Sequence, residues 1–203
     1  MVLKPLILPS KNCTLVTIGI GKDIAAERKL QKMEPNCKFF GADPTPENGE
    51  VYKTIGQYSA VAVGAETKAE AAMIIMSPKT MRNRPQNISS LSLLDYFKSH
   101  VRQSLIDHLW MDNEGAEYAT TEKIIGNPPF KAVGIELCQV NAEFHGPIEE
   151  FGSNRAEIRR MLQALFRSDF LPLLIQVRGP HYKTFLLNVE SRICWSKYGG
   201  NCL

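Results

Sequence analysis

The sequence predicts an α/β fold: a doubly wound sheet with a final antiparallel strand. The short, continuously apolar, β-branched run Thr14–Ile18 has the pattern of a strand buried on both faces, and Leu137–Phe144 reads as a further strand. Helix-like segments alternate with them from start to finish, as parallel sheets with crossover helices require. The last two strand-like runs, Leu171–Val177 and Lys183–Val189, flank Arg178-Gly179-Pro180-His181 and read as an antiparallel hairpin.

Taken in order, the run Thr14–Ile18 ends at Gly19-Ile20-Gly21. A helix over Asp23–Met33 follows, with Asp23 as N-cap and Ile24, Leu30 and Met33 on one side. Cys37–Ala42 is the second strand, closed by Asp43-Pro44, and Glu47–Ile55 a short helix. Ser59–Val63 is the third strand, with Ala71–Met76 as a hairpin partner. Ser77–Ser90, which holds Lys79, Arg82 and Arg84, reads as one long irregular loop. A helix near Leu91–Gln103 leads to the strand Ile106–Met111. Asp112-Asn113-Glu114-Gly115-Ala116-Glu117 then opens another helix, whose connection ends at Pro128-Pro129 ahead of Leu137–Phe144. Asn154 and Glu157 resemble a capping box. Ile158, Met161, Leu162, Leu165 and Phe166 behind them form a core-facing stripe.

The chain has 203 residues, which suits a single domain with a core from about residue 13 to 189. With 44% hydrophobic and 22% charged residues it is not a disordered or low-complexity chain. Lys and Arg exceed Asp and Glu by 24 − 21 = 3, too little to argue for a nucleic-acid partner. No window reaches the roughly 18 apolar residues of a membrane span, and the run Val2–Pro9 lacks the apolar core of a signal peptide. The compartment is therefore expected to be cytoplasmic, a missing leader leaving the secretory pathway open. Five scattered cysteines do not make a disulfide scaffold. Cys13, Cys37 and Cys138 are expected to pack as small hydrophobes, while Cys194 and Cys202 could pair. The odd total argues against that pair and for a reducing compartment. No zinc-type spacing is present, and no metal site is assigned.

In doubly wound sheets ligands sit beyond the carboxyl ends of the strands. The Gly19–Gly21 turn lets a ligand approach the backbone, although taken by itself it is better explained as a tight strand-to-helix turn. Asp43 is placed to accept ribose hydroxyls, or else simply starts a turn. The helix dipole accounts for one or two of the acids after Met111 but leaves Asp112 at a strand tip. Glu143 and His145 fall on one side of the next strand's end. They form a base with an orienting carboxylate, a pair of metal ligands joining Asp112 or Glu114, or a structural histidine.

Gly19-Ile20-Gly21, Asp43-Pro44, Leu93-Leu94-Asp95, Asp112-Asn113-Glu114-Gly115-Ala116-Glu117 and Gln139-Val140-Asn141-Ala142-Glu143-Phe144-His145, in this order, resemble the FkbM-type methyltransferase family, in particular its divergent animal members. The resemblance runs from about Cys13 to Val189. It implies a class I methyltransferase (Rossmann-like) sheet, S-adenosylmethionine as cofactor, and a small-molecule or glycan-like hydroxyl as acceptor. Carried over, Gly19, Gly21, Asp43, Asp112 and Glu114 would bind the cofactor. His145 would act as base, with Glu143 or Asp112 orienting it. Thr17 and Asp23 stand where the family has an acid and a glycine; a catalytically inactive binding domain is the alternative reading, and the oligomeric state stays open.

Overall fold

The computed structural model describes residues 1–6, 11–75, 83–125, 129–146, 155–179 and 181–199. Its centre is a seven-stranded sheet. β1 (Cys13–Ile18), β2 (Cys37–Ala42) and β3 (Gln57–Ser59) run parallel on one side. β7 (Leu105–Met111) and β8 (Glu136–Phe144) continue the parallel set from β1. β10 (His181–Asn188) then lies antiparallel between β8 and β9 (Phe170–Arg178), giving the order β3-β2-β1-β7-β8-β10-β9.

The apolar runs form these strands because both faces are covered. Along β1, Val16 and Ile18 enter the larger core on one face, while Leu15 enters the core on the other. The second face is capped by α1 (Ala25–Met33), through Ile24 and Leu30, and by α2 (Pro46–Tyr52), through Tyr52. The first face carries α3 (Leu93–Tyr96) and the π-helical turn Phe97–Val101, then α4 (Glu117–Ile125), α5 (Pro129–Ala132) and α6 (Arg155–Leu165). Trp110 and Trp195 are both partly buried against core clusters.

Four expectations are corrected. Ser59–Val63 is not one strand: β3 stops at Ser59, and β4 (Ala62–Gly64) joins a second sheet ordered β4-β6-β5. There β5 (Lys68–Ile75) pairs antiparallel with β6 (Asn83–Ser92), so most of the supposed irregular loop is strand; residues 76–82 lie outside the described residues. A polar run such as Asn83-Arg84-Pro85-Gln86-Asn87 lacks the alternation that betrays a strand. On α6, Met161 and Leu165 are buried and Ile158 packs on the core, but Leu162 is half-exposed and Phe166 is 86% exposed. The helix buries a stripe narrower than its apolar pattern; the capping box proposed at residue 154 lies outside the described residues.

The cysteines give the fourth correction. Cys13 and Cys37, register partners on β1 and β2, form a disulfide. Cys138 on β8 is bonded to Cys194 on α7 (Arg192–Tyr198), a helix that the sequence pattern does not predict. Cys194 therefore does not pair with Cys202, which lies outside the described residues. The buried Asp107 also anchors α7, accepting from Lys197 Nζ at 2.5 Å, Tyr198 Oη at 2.7 Å and the Thr14 amide at 2.8 Å.

Candidate active site

The parallel strands deliver their carboxyl ends to one edge of the sheet. β1 leaves through Gly19, whose φ of +78° favours a residue without Cβ. A Cβ there would lie 1.9 Å from the carbonyl oxygen of Asp112, so the β1 loop presses directly on the end of β7. The Asp112 amide in turn donates to Ile18 O at 2.9 Å. Gly21 is open, with nothing nearer to a Cβ position than the Asp23 amide at 3.9 Å. Asp43, at the end of β2, is buried, and its two oxygens accept from the amides of Ile20 at 2.9 Å and Thr45 at 2.7 Å. Burial raises its carboxyl above the ordinary aspartate value, and the hydrogen bonds offset part of that rise.

Asp23 does not intrude on this turn. Its Oδ1 accepts from the Ala25 amide at 2.8 Å, and the N-cap of α1 is Ile24, not the Asp23 expected from the sequence. Behind the turn, α1 carries a buried carboxylate to the place where the first strand has only Thr17. The Thr17 hydroxyl donates to Glu27 Oε1 at 3.3 Å and receives the Tyr52 hydroxyl at 3.2 Å. Burial pushes the Glu27 carboxyl up, and hydrogen bonds from the backbone and from Thr17 pull it only partly back. A raised carboxyl binds its proton more tightly in the fold than in the unfolded chain. Its contribution is therefore fully present below the unfolded pKa and is lost as pH rises through the folded one. Thermal denaturation of Glu27→Gln is thus expected to give a higher Tm than wild type at about pH 7.5, converging with it near about pH 4. An equal gain at both pH values would show that ionisation of Glu27 is not the source of the difference.

From β7 to α4 the chain turns through two left-handed residues, Glu114 at φ +54° and Gly115 at φ +100°. A left-handed glutamate costs roughly 1–2 kcal/mol and needs surrounding structure to hold it. Asn113 supplies part of that hold, its Nδ2 donating to Val63 O of β4 at 2.9 Å. Glu117, the first residue of α4, supplies more. It is wholly buried, and Oε2 accepts from the Gly115 amide at 2.8 Å.

The other oxygen of Glu117 faces Nδ1 of His145, just past β8, at 3.0 Å. An ionised carboxylate only accepts, so Nδ1 carries the donated proton. Tyr118 Oη donates to His145 O at 2.8 Å, so two consecutive residues of α4 hold the ring and the backbone. The ring of His181 stands edge-on at 4.6 Å. Nε2 of His145 is thereby aimed at Asp112 Oδ1, 3.6 Å away, and Glu114 Oε2, 3.4 Å away.

The structure thus brings Asp112, Glu114 and His145 together. Glu143 does not join them: across the β8–β10 register its Oε2 is paired with Lys183 at 2.7 Å. The carboxylate that orients His145 is Glu117, not Glu143 or Asp112. Burial alone would lower His145; the Glu117 hydrogen bond and the charges of Glu117, Glu114 and Asp112 outweigh it and raise the imidazole to about 9. Crowding by surrounding protein and the charge of Glu143 raise Asp112 to about 6, His145 opposing, although its half-exposed side tempers the shift. Burial likewise raises Glu114, with His145 opposing.

Known proteins match the chain over most of its length. Its fold is shared with the METTL16 methyltransferase domain, at a TM-score of 0.52 and 10% identity, covering 90% of this chain and 62% of that one. The Methanococcus jannaschii fibrillarin pre-rRNA processing protein aligns at a TM-score of 0.49 and 7% identity, over 92% of this chain and 71% of that one. The chain therefore spans less than two thirds of the METTL16 domain. No curated protein matches it in sequence. The Methyltransferase FkbM domain profile matches residues 4–170, most of the chain. That match makes the protein a methyltransferase with S-adenosylmethionine as its cofactor: the chain belongs to the FkbM methyltransferase family.

Proposed function

We propose that the protein methylates a hydroxyl of a small-molecule or glycan-like acceptor, and that the acceptor binds beside Asp112, Glu114 and His145. The observation that carries this reading is the aim of Nε2 of His145, fixed by Glu117, toward two carboxylates at the carboxyl edge of the sheet. When bound, S-adenosylmethionine supplies an electrophilic methyl group, and catalysis is then largely a matter of positioning. A hydroxyl must also lose its proton. His145 is only 7% exposed and engaged at Nδ1, whereas the Asp112 side chain is 52% exposed. The acceptor hydroxyl therefore meets Asp112, which takes the proton, and His145, held by Glu117, fixes the geometry on the other side of the reacting oxygen.

The residues at the ends of β1 and β2 fit the cofactor. Gly19 and Gly21 leave the turn without side chains, and Asp43 just past the end of β2 offers a carboxylate, the acceptor type that ribose hydroxyls need. Calorimetric titration of wild type and Asp43→Ala with S-adenosylmethionine and S-adenosylhomocysteine tests this assignment. We expect binding to wild type and at least about tenfold weaker binding to the variant, a loss of about 1.4 kcal/mol. A methyl-transfer screen against free sugars, glycans, amines and peptides tests the acceptor. Methyl recovered on nitrogen instead of oxygen would remove the hydroxyl reading.

The two disulfides favour an oxidising compartment, the secretory pathway in place of the cytoplasm expected from the sequence. Glycan hydroxyls are abundant there, which supports the glycan-like part of the acceptor class. Among the described residues no helix is long and apolar enough to cross a membrane.

A further inference from the structure

Asp112, Glu114 and His145 each bring one ligand-type atom into a group whose members all lie within 4.8 Å of one another. From Nε2 of His145 the two carboxylate oxygens stand at 3.4 and 3.6 Å. These spacings exceed the roughly 2.9 Å of an N–H···O hydrogen bond. They fall close to the ligand–ligand edge, roughly 3.0–3.4 Å, of a coordination shell with bonds of about 2.1 Å.

Two observations beyond proximity point to a cation. His145 is more than nine-tenths buried, yet among the described residues its Nε2 makes no hydrogen bond, although it is aimed between two carboxylates. Its other nitrogen donates to the buried Glu117, the carboxylate–histidine arrangement that orients metal-binding imidazoles. The charges also fail to balance. Glu117, Glu114 and Asp112 converge on one imidazole. Among the described residues no lysine or arginine pairs with any of the three, while the neighbouring Glu143 has Lys183.

We propose that Asp112, Glu114 and His145 bind a divalent first-row cation, Mn²⁺ or Zn²⁺. One imidazole with two carboxylates suits these ions better than Mg²⁺ or Ca²⁺, which prefer oxygen alone. The purpose of the ion, though not its binding, rests on the hydroxyl-methylation reading. Three protein ligands leave coordination positions open, and a cation there lowers the pKa of a hydroxyl brought to it.

The test is titration of Mn²⁺ into chelator-stripped full-length protein, followed by calorimetry and pulsed electron paramagnetic resonance. One ion per chain with a micromolar Kd is expected, with nuclear modulation from a directly bonded imidazole nitrogen. Asp112→Asn and Glu114→Gln change partly exposed side chains and should keep the wild-type circular dichroism; each should weaken the ion at least about tenfold. His145→Gln should abolish the nitrogen modulation. Failure of a folded sample to bind Mn²⁺ or Zn²⁺ at millimolar concentration overturns the proposal, as does affinity that all three variants leave unchanged. S-adenosylhomocysteine titrated into the same stripped sample separates the two readings. Cofactor binding without ion binding rejects the cation site alone, and ion binding without cofactor binding rejects the cofactor assignment alone.

Discussion

Glu117→Ala is expected to lower stability by about 3–5 kcal/mol, the cost of leaving a buried charged partner and a buried amide unmatched. Glu117 is wholly buried, and its oxygens serve the Gly115 amide and Nδ1 of His145. One side chain thus holds both the left-handed turn that displays Glu114 and the imidazole that faces it. For a chain of this size the loss corresponds to a Tm lower by roughly 10 °C. Methyl transfer should fall at least about a hundredfold in whatever fraction still folds, because a freed imidazole no longer aims Nε2 at the site. Glu117→Gln keeps the shape and one acceptor but not the charge. It should recover most of the stability and little of the activity. Thermal denaturation and a transfer assay on both variants decide the matter: an alanine variant with wild-type Tm and turnover would strip Glu117 of the role assigned to it.

The role of Glu117 is not legible in the sequence, for a physical reason. It belongs to the acidic stretch after Met111, yet an acid at the first position of a helix is already explained by the helix dipole. Its contact with His145 spans 28 positions, and no local pattern encodes that. The strand tips behave differently. β1 and β2 are dominated by apolar residues, and β7 and β8 keep enough of them around Asp107, His108, Gln139 and Asn141 that the strand ends, and the polar residues just beyond them, are legible within a residue or two. Asp112, Glu114 and His145 meet because the sheet order sets β7 beside β8. Glu143 is misassigned from sequence because period two gives the side of a strand but not its partner, and β10 brings Lys183 opposite it. β6 is hidden because its residues are polar, and α7 because its seven residues are held by a disulfide and by the buried Asp107 instead of by an apolar stripe of their own.

Loss of the two disulfides should have an effect at least as large. The bridges span sequence separations of 24 and 56 residues. Loop-closure entropy of the unfolded chain assigns about 3 kcal/mol to the shorter and about 4 kcal/mol to the longer. Together these are comparable to the whole net stability of a typical domain, about 5–15 kcal/mol. Replacing Cys138 and Cys194 by alanine should therefore lower Tm by roughly 10 °C and release α7 first, since the helix then keeps no covalent tie and is held by hydrogen bonds of Lys197 and Tyr198 and by its apolar contacts. Replacing Cys13 and Cys37 should cost somewhat less, because β1 and β2 remain joined by their own ladder. Alkylation and mass spectrometry of unreduced protein provide the direct check, and free thiols at Cys13, Cys37, Cys138 and Cys194 in folded material would refute the pairing. A chain that depends on both bridges accumulates in folded form only where thiols are oxidised, so expression with and without an oxidising folding environment tests the fold and the proposed compartment in one comparison.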